Sequence, residues 1–206
     1  MGTELSATLD PDGPPSPAPG LIGVRFWVRA WGQIIDMVVH NAWWFVSAFA
    51  FTVGVGIYAG ITATPVEPLI GKLFGSSWSW PDFFGALLGF TLYHAVMERV
   101  CGATVGKRLL GLVAVSSDGT ALRFRAALGR SLAFNVDGLF FGLPAYDAMK
   151  LPPHQRLGDK WCDTLVVKRS LLPPARPVTG GFMGALCLGL LSDSLCYAAA
   201  AWVKLL

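Results

Sequence analysis

The sequence predicts an all-α polytopic membrane protein: about three transmembrane helices, one re-entrant or interfacial helical segment, and a small β-hairpin-like element on the cytoplasmic side. Three observations carry this. The 206 residues are 53% hydrophobic and only 14% charged, against roughly 25% charged in an ordinary soluble domain. Long apolar blocks recur, with tryptophan near their ends. Lys and Arg concentrate in particular connections.

The first block runs from about 32 to 60, longer than the roughly 20 residues a helix needs to cross. The second, from about 81 to 97, follows SSWSWPD, where Trp78 and Trp80 suit a membrane-water boundary and Pro81 a first helical turn. The last runs from about 181 to 203. A fourth block, 126–149, carries Arg130, Asp137 and Asp147, and GLFFGLP interrupts it. Loop charge places it. Residues 61–80 hold Lys72 alone, whereas 98–125 hold Arg99, Lys107, Arg108, Arg123 and Arg125. Residues 150–179 hold Lys150, Arg156, Lys160, Lys168, Arg169 and Arg176. The positive-inside rule puts the two basic stretches on one side, so 126–149 enters and returns rather than spanning. LLGLVAV, closed by SSDG, and DTLVVKR read as short strands that pair on that side.

Organisation follows: a Pro-rich cytoplasmic tail over 1–23, a membrane domain over 24–169, and a linker with a final transmembrane helix over 170–206. The tail has no basic, apolar-cored leader pattern, so a cleaved signal is not expected. The expected location is the bacterial cytoplasmic (inner) membrane with the N-terminus inside. A net charge of +3 gives no ground for a nucleic-acid partner.

On a helical projection at 100° per residue, Arg25, Arg29, Gln33, Asp36 and His40 fall within an arc of about 80°. Snorkelling accounts for the arginines. It accounts poorly for Asp36 and His40, since a carboxylate at the centre of a span costs about 2.5–3.5 kcal/mol. Each therefore needs a partner on another helix or a water-filled pocket. The Arg29-x6-Asp36 spacing recurs as Arg130-x6-Asp137, and the expected pairs are Arg29 with Asp137 and Arg130 with Asp36. Asp193 in the last span, and His94 with Glu98 on the second, are further intramembrane polar candidates; each has a structural alternative, helix-helix hydrogen bonding for Asp193 and a wet helix end for the other two. Lys107 and Arg108 are expected to meet anionic headgroups or acidic residues of their own loop.

Enzyme chemistry finds no footing. GATVGKRLLGL fails as a phosphate loop, because Cys101 stands where glycine is needed and Arg108 follows Lys107. Cys101, Cys162, Cys187 and Cys196 show no CxxC spacing, and no metal or cofactor pattern is present.

RAWGQIID, GATVGKRLLGLVAVSSDG, RSLAFNVD and HQRLGDKWCDTLVV together resemble the RDD family of membrane proteins over about 24–169. The resemblance puts Arg29 (Arg25 as second choice) and Asp36 in the places of the family arginine and first aspartate. Asp159 takes the second aspartate and Thr164 the threonine. Where the family often has His before the second Asp and Gly before the Thr, this chain has Gly158 and Asp163. The family implies a small helical membrane domain with a transport role of undefined substrate. Two function classes follow: a transporter or transport component, homo-oligomeric, whose stripe lines or gates a polar path, and a non-enzymatic accessory subunit of a larger membrane complex. In the second the charges serve as locks, and aromatic faces (Trp43, Trp44, Phe45, Phe49; Phe140, Phe141) bind protein or lipid.

Overall fold

The computed structural model describes residues 21–74, 79–172 and 181–206. The tail up to residue 20, Trp78, Arg176 and the side chains of Phe140 and Phe141 lie outside the described residues.

Helix α1 (Phe26–Thr62) has 37 residues, about 55 Å at 1.5 Å per residue. It ends at Ala63, whose φ of 53° closes the last turn onto Ala59 O. Helix α2 (Val66–Phe74) follows it. Helix α3 (Trp80–Cys101) starts with Pro81 in its first turn and Ser79 at the cap, where the Asp82 carboxylate accepts from the Ser79 N–H at 3.1 Å and its hydroxyl at 2.7 Å. Helix α8 (Phe182–Leu205) closes the chain. Among the described residues, two helices, α1 and α8, are long and apolar enough to cross a membrane. Helix α3 has 22 residues but carries Asp82, His94, Glu98 and Arg99.

Helices α3 and α8 make the most extensive packing among the elements, and small residues permit it. A Cβ on Gly85 would sit 2.8 Å from Ala200 Cβ, and one on Gly189 3.2 Å from Tyr93. The four-residue spacing of Gly85 and Gly89 lets the two backbones approach, as in small-xxx-small membrane interfaces. Lys204 fastens the far end, its Nζ 3.0 Å from Asp82 Oδ2 and 2.7 Å from Leu73 O.

The second half of the fold is a small module around two strands. Helix α4 (Val105–Leu109) leads into β1 (Leu112–Ser116), and α7 (Leu157–Trp161) into β2 (Thr164–Lys168). The strands pair antiparallel, Leu112 opposite Lys168 and Ser116 opposite Thr164. Their alternation buries both faces. Val113, Val115, Leu165 and Val167 pack together on one side, with Leu21 and Leu172 against them. Leu112, Ala114 and Val166 pack with Val24, Ala95, Leu122 and Ala127 on the other. Gly23 N–H donates to Pro153 O and Val24 N–H to Val166 O. Leu21 and Gly23 therefore both contact the module.

Between the strands, the block expected to enter and return is two helices, α5 (Phe124–Asp137) and α6 (Leu139–Ala148), broken at Gly138. At 14 and 10 residues, neither alone covers the roughly 30 Å hydrocarbon thickness. Helix α5 packs on α3 and α7, which brings its inner face over the module.

Candidate functional site

The polar stripe of α1 faces inward as the projection requires. Arg29, Asp36 and His40 are buried and Gln33 half-buried. Arg25 is the exception: it caps the helix with extended backbone and is exposed.

The buried charges meet in one cluster, with partners other than those the repeated spacing suggests. Arg29 pairs not with Asp137 but with Asp159 on α7, Nη2 to Oδ2 at 2.5 Å, while its Nη1 donates to His154 O at 3.5 Å. Arg130 on α5 pairs not with Asp36 but with Asp159 Oδ1 at 3.0 Å and Glu98 Oε2 on α3 at 3.3 Å. Arg156 stands 3.7 Å from both Asp137 Oδ2 and Asp159 Oδ2. The physical reason is the module: α7 lies between α1 and α5, so Asp159 reaches both arginines first.

Asp36 is held by neutral donors. Thr104 Oγ1 donates at 2.6 Å, Gly106 N–H at 2.8 Å and Tyr93 O–H at 3.4 Å. Gly106 must be glycine, because a Cβ there would lie 1.9 Å from Gly32 O. Of the two expected partners of Lys107, the structure supplies the acidic one. Lys107 is buried, with Nζ 3.1 Å from Glu98 Oε1 and 3.4 Å from Thr104 Oγ1. Arg108 is exposed and lies over the Phe182 ring at 4.6 Å. Asp137 receives the Gly158 N–H at 3.3 Å.

The cluster thus contains four cations (Arg29, Lys107, Arg130, Arg156) and four anions (Asp36, Glu98, Asp137, Asp159) and is neutral by count. That balance is what makes burial affordable. On α7, burial alone pushes the Asp159 carboxyl up, but Arg29, Arg130 and Arg156 outweigh it and hold the group well below the usual carboxylate range. Beside the cluster lies a pocket of about 10 Å³, the space of one water. Gln33, Phe90, His94, Glu98, Lys107 and Arg130 are among its walls.

A separate polar couple sits further along α1. His40 Nδ1 is 2.9 Å from Asp193 Oδ2 on α8, and Trp44 Nε1 donates to Asp193 Oδ1 at 3.0 Å. Ser47 and Ser194 hydroxyls meet at 3.0 Å nearby, and Trp43 Nε1 donates to Ser194 at 2.8 Å.

The RDD family model matches residues 24–202. The chain belongs to the RDD family. No curated protein and no solved structure matches it. The RDD match runs past residue 169 and takes in most of α8, so Asp193 falls within the matched region.

Thr104, Tyr93 and Arg156 are site residues that sequence reasoning missed. GATVGKRLLGL contained the first, as N-cap of α4, and a Thr before a short basic helix was the available signal. Asp163 occupies φ 51°, a left-handed conformation that glycine adopts freely. Gly158 has no room for a side chain: a Cβ would be 2.6 Å from Ala133 Cβ.

Proposed function

We propose that this RDD protein is a small, non-enzymatic transport component in which the eight-charge cluster closes the cytoplasmic end of a polar route between α1, α3 and α5. In this reading α1, α3 and α8 span the cytoplasmic membrane of a bacterium with the N-terminus inside. The pair α5–α6 is re-entrant or interfacial, and the strand module faces the cytoplasm with the basic loops. The observation that carries it is the water-sized pocket lined by His94, Glu98, Lys107 and Arg130, with Gln33 of α1 among its walls. A polar recess flanked by ion pairs that can exchange partners is the chemistry a gate needs. Asp159, shared by three arginines, is the hinge of that exchange. The test is reconstitution of the chain in vesicles with proton and monovalent-cation flux followed by dye or electrode. Flux that changes in folded Asp36→Asn is expected; flux indistinguishable from empty vesicles for both proteins refutes the reading.

A second reading, an accessory subunit of a larger complex, is favoured by one observation. Trp27, Trp31, Phe45, Phe49, Ile57 and Ile61 of α1 are all exposed, an apolar face that a partner protein or lipid covers. Co-purification in mild detergent separates the two. A stoichiometric foreign partner supports the subunit, and a homo-oligomer alone supports the transport component.

A further inference from the structure

The His40–Asp193 couple takes no part in the eight-charge cluster, yet it brings two titratable side chains from α1 and α8 into contact. We propose that it is an intramembrane proton-binding site, taking up one exchangeable proton on the imidazole whose Nδ1 faces the Asp193 carboxylate.

The geometry is that of a built site. Asp193 is 1% and His40 8% exposed, and the facing atoms are 2.9 Å apart. The second carboxylate oxygen is occupied by the Trp44 indole N–H at 3.0 Å, so Oδ2 is left for His40. Helix α3 leaves space for the carboxylate, since a Cβ on Gly89 would lie 2.1 Å from Asp193 Oδ1. Among the described residues, the ion-pair partner of Asp193 is His40.

The charge count then fixes the stoichiometry. With no proton bound beyond the one on His40 Nδ1, the couple carries one negative charge in apolar surroundings, which is costly. One further proton taken from water at Nε2 gives imidazolium facing carboxylate and a net charge of zero. A third proton, on the carboxylate, makes the couple positive and is costly again. The neutral state therefore stores a single proton, and its release to water restores the anionic one.

The groups that face this site are few. From α1 they are Trp44 and, one turn away, Asp36, which is committed to Thr104 and Gly106. From α3, the Phe90 ring packs edge-on to both His40 at 5.0 Å and His94 at 4.5 Å. From α8 they are Cys196 and Tyr197, the latter against Trp44 at 4.9 Å. Phe90 also lines the water-sized pocket, so one aromatic ring separates the couple from that recess. The site binds its proton whether or not the chain carries a solute.

The experiment is ¹⁵N NMR of histidine-labelled full-length protein in lipid nanodiscs between pH 4 and 10, with the His40 signals assigned by their loss in His40→Gln. The expected result is a change of His40 between imidazolium and imidazole in that range, with proton affinity at least about tenfold weaker in Asp193→Asn. Should Asp193→Asn fail to fold, Trp44→Phe removes the donor to Oδ1 along with the indole's edge contact to Tyr197, and proton binding is expected to change by about threefold. A His40 ring that keeps one protonation state throughout, or an affinity unmoved by either folded variant, overturns the proposal.

Discussion

Arg29 on α1 and Asp159 on α7, 130 residues apart in the chain, meet at 2.5 Å with side chains 7% and 0% exposed. That contact ties the first long helix to the strand module. Asp159→Asn leaves Arg29, Arg130 and Arg156 facing a neutral amide, and Arg29→Ala leaves part of the carboxylate unmatched. Each is expected to cost about 3–5 kcal/mol, measured by reversible unfolding in mixed micelles. Arg29→Lys recovers less than half, because a single ammonium cannot reach both His154 O and Asp159 as the guanidinium fork does.

The pH dependence has a definite sign. A carboxylate held below its ordinary value near 3.8 adds stability above that value and loses it as the pH falls through the depressed one. The contribution of Asp159 is therefore complete at pH 5 and above and is lost progressively below about pH 4. Thermal midpoints of the wild type should drop below pH 4 more steeply than those of Asp159→Asn. Parallel curves contradict the assignment.

Three glycines separate close packing from open space. Gly106→Ala drives a methyl onto Gly32 O and breaks the α1–α4 crossing, and Gly158→Ala meets Ala133. Gly60→Ala meets nothing within 4 Å. The first two are expected to cost about 1–3 kcal/mol or more. The third is expected to be neutral or mildly stabilising, as Ala replaces Gly within a helix. The yield of folded protein from membranes, with the same unfolding assay, ranks them.

Thr104→Val keeps the shape but removes the 2.6 Å donor to Asp36. A loss of about 1–3 kcal/mol is expected, the cost of a buried acceptor deprived of its partner. Thr104→Ser retains the hydroxyl and most of the stability. Equal losses in Val and Ser variants would assign the effect to packing at the methyl instead.

Much of the architecture was legible. The apolar blocks gave α1, α3 and α8 within a few residues, and LVAV and TLVV gave the strand pair, because periodicity and length carry that information. The inward stripe of α1 was legible for the same reason. The pairing of charges was not. The matched spacing of Arg29–Asp36 and Arg130–Asp137 describes each helix alone, whereas partners depend on which element lies between them. That element is the five-residue α7, too short to show a period. For Lys107 the sequence left headgroups and an acidic neighbour open, and the structure sets it beside Glu98, at the end of α3. His40 and Asp193 were each flagged as costly in a span, but nothing in the sequence says that they meet.

The central claim is that eight charged side chains form one mutually neutralising network anchored on Arg29 and Asp159. A double-mutant cycle tests it most directly, with unfolding free energies of wild type, Arg29→Ala, Asp159→Asn and the double variant. Coupling of about 1.5–3 kcal/mol, so that the double variant is far less damaged than the sum of the singles, is the predicted result. Additivity within about 0.5 kcal/mol would contradict it.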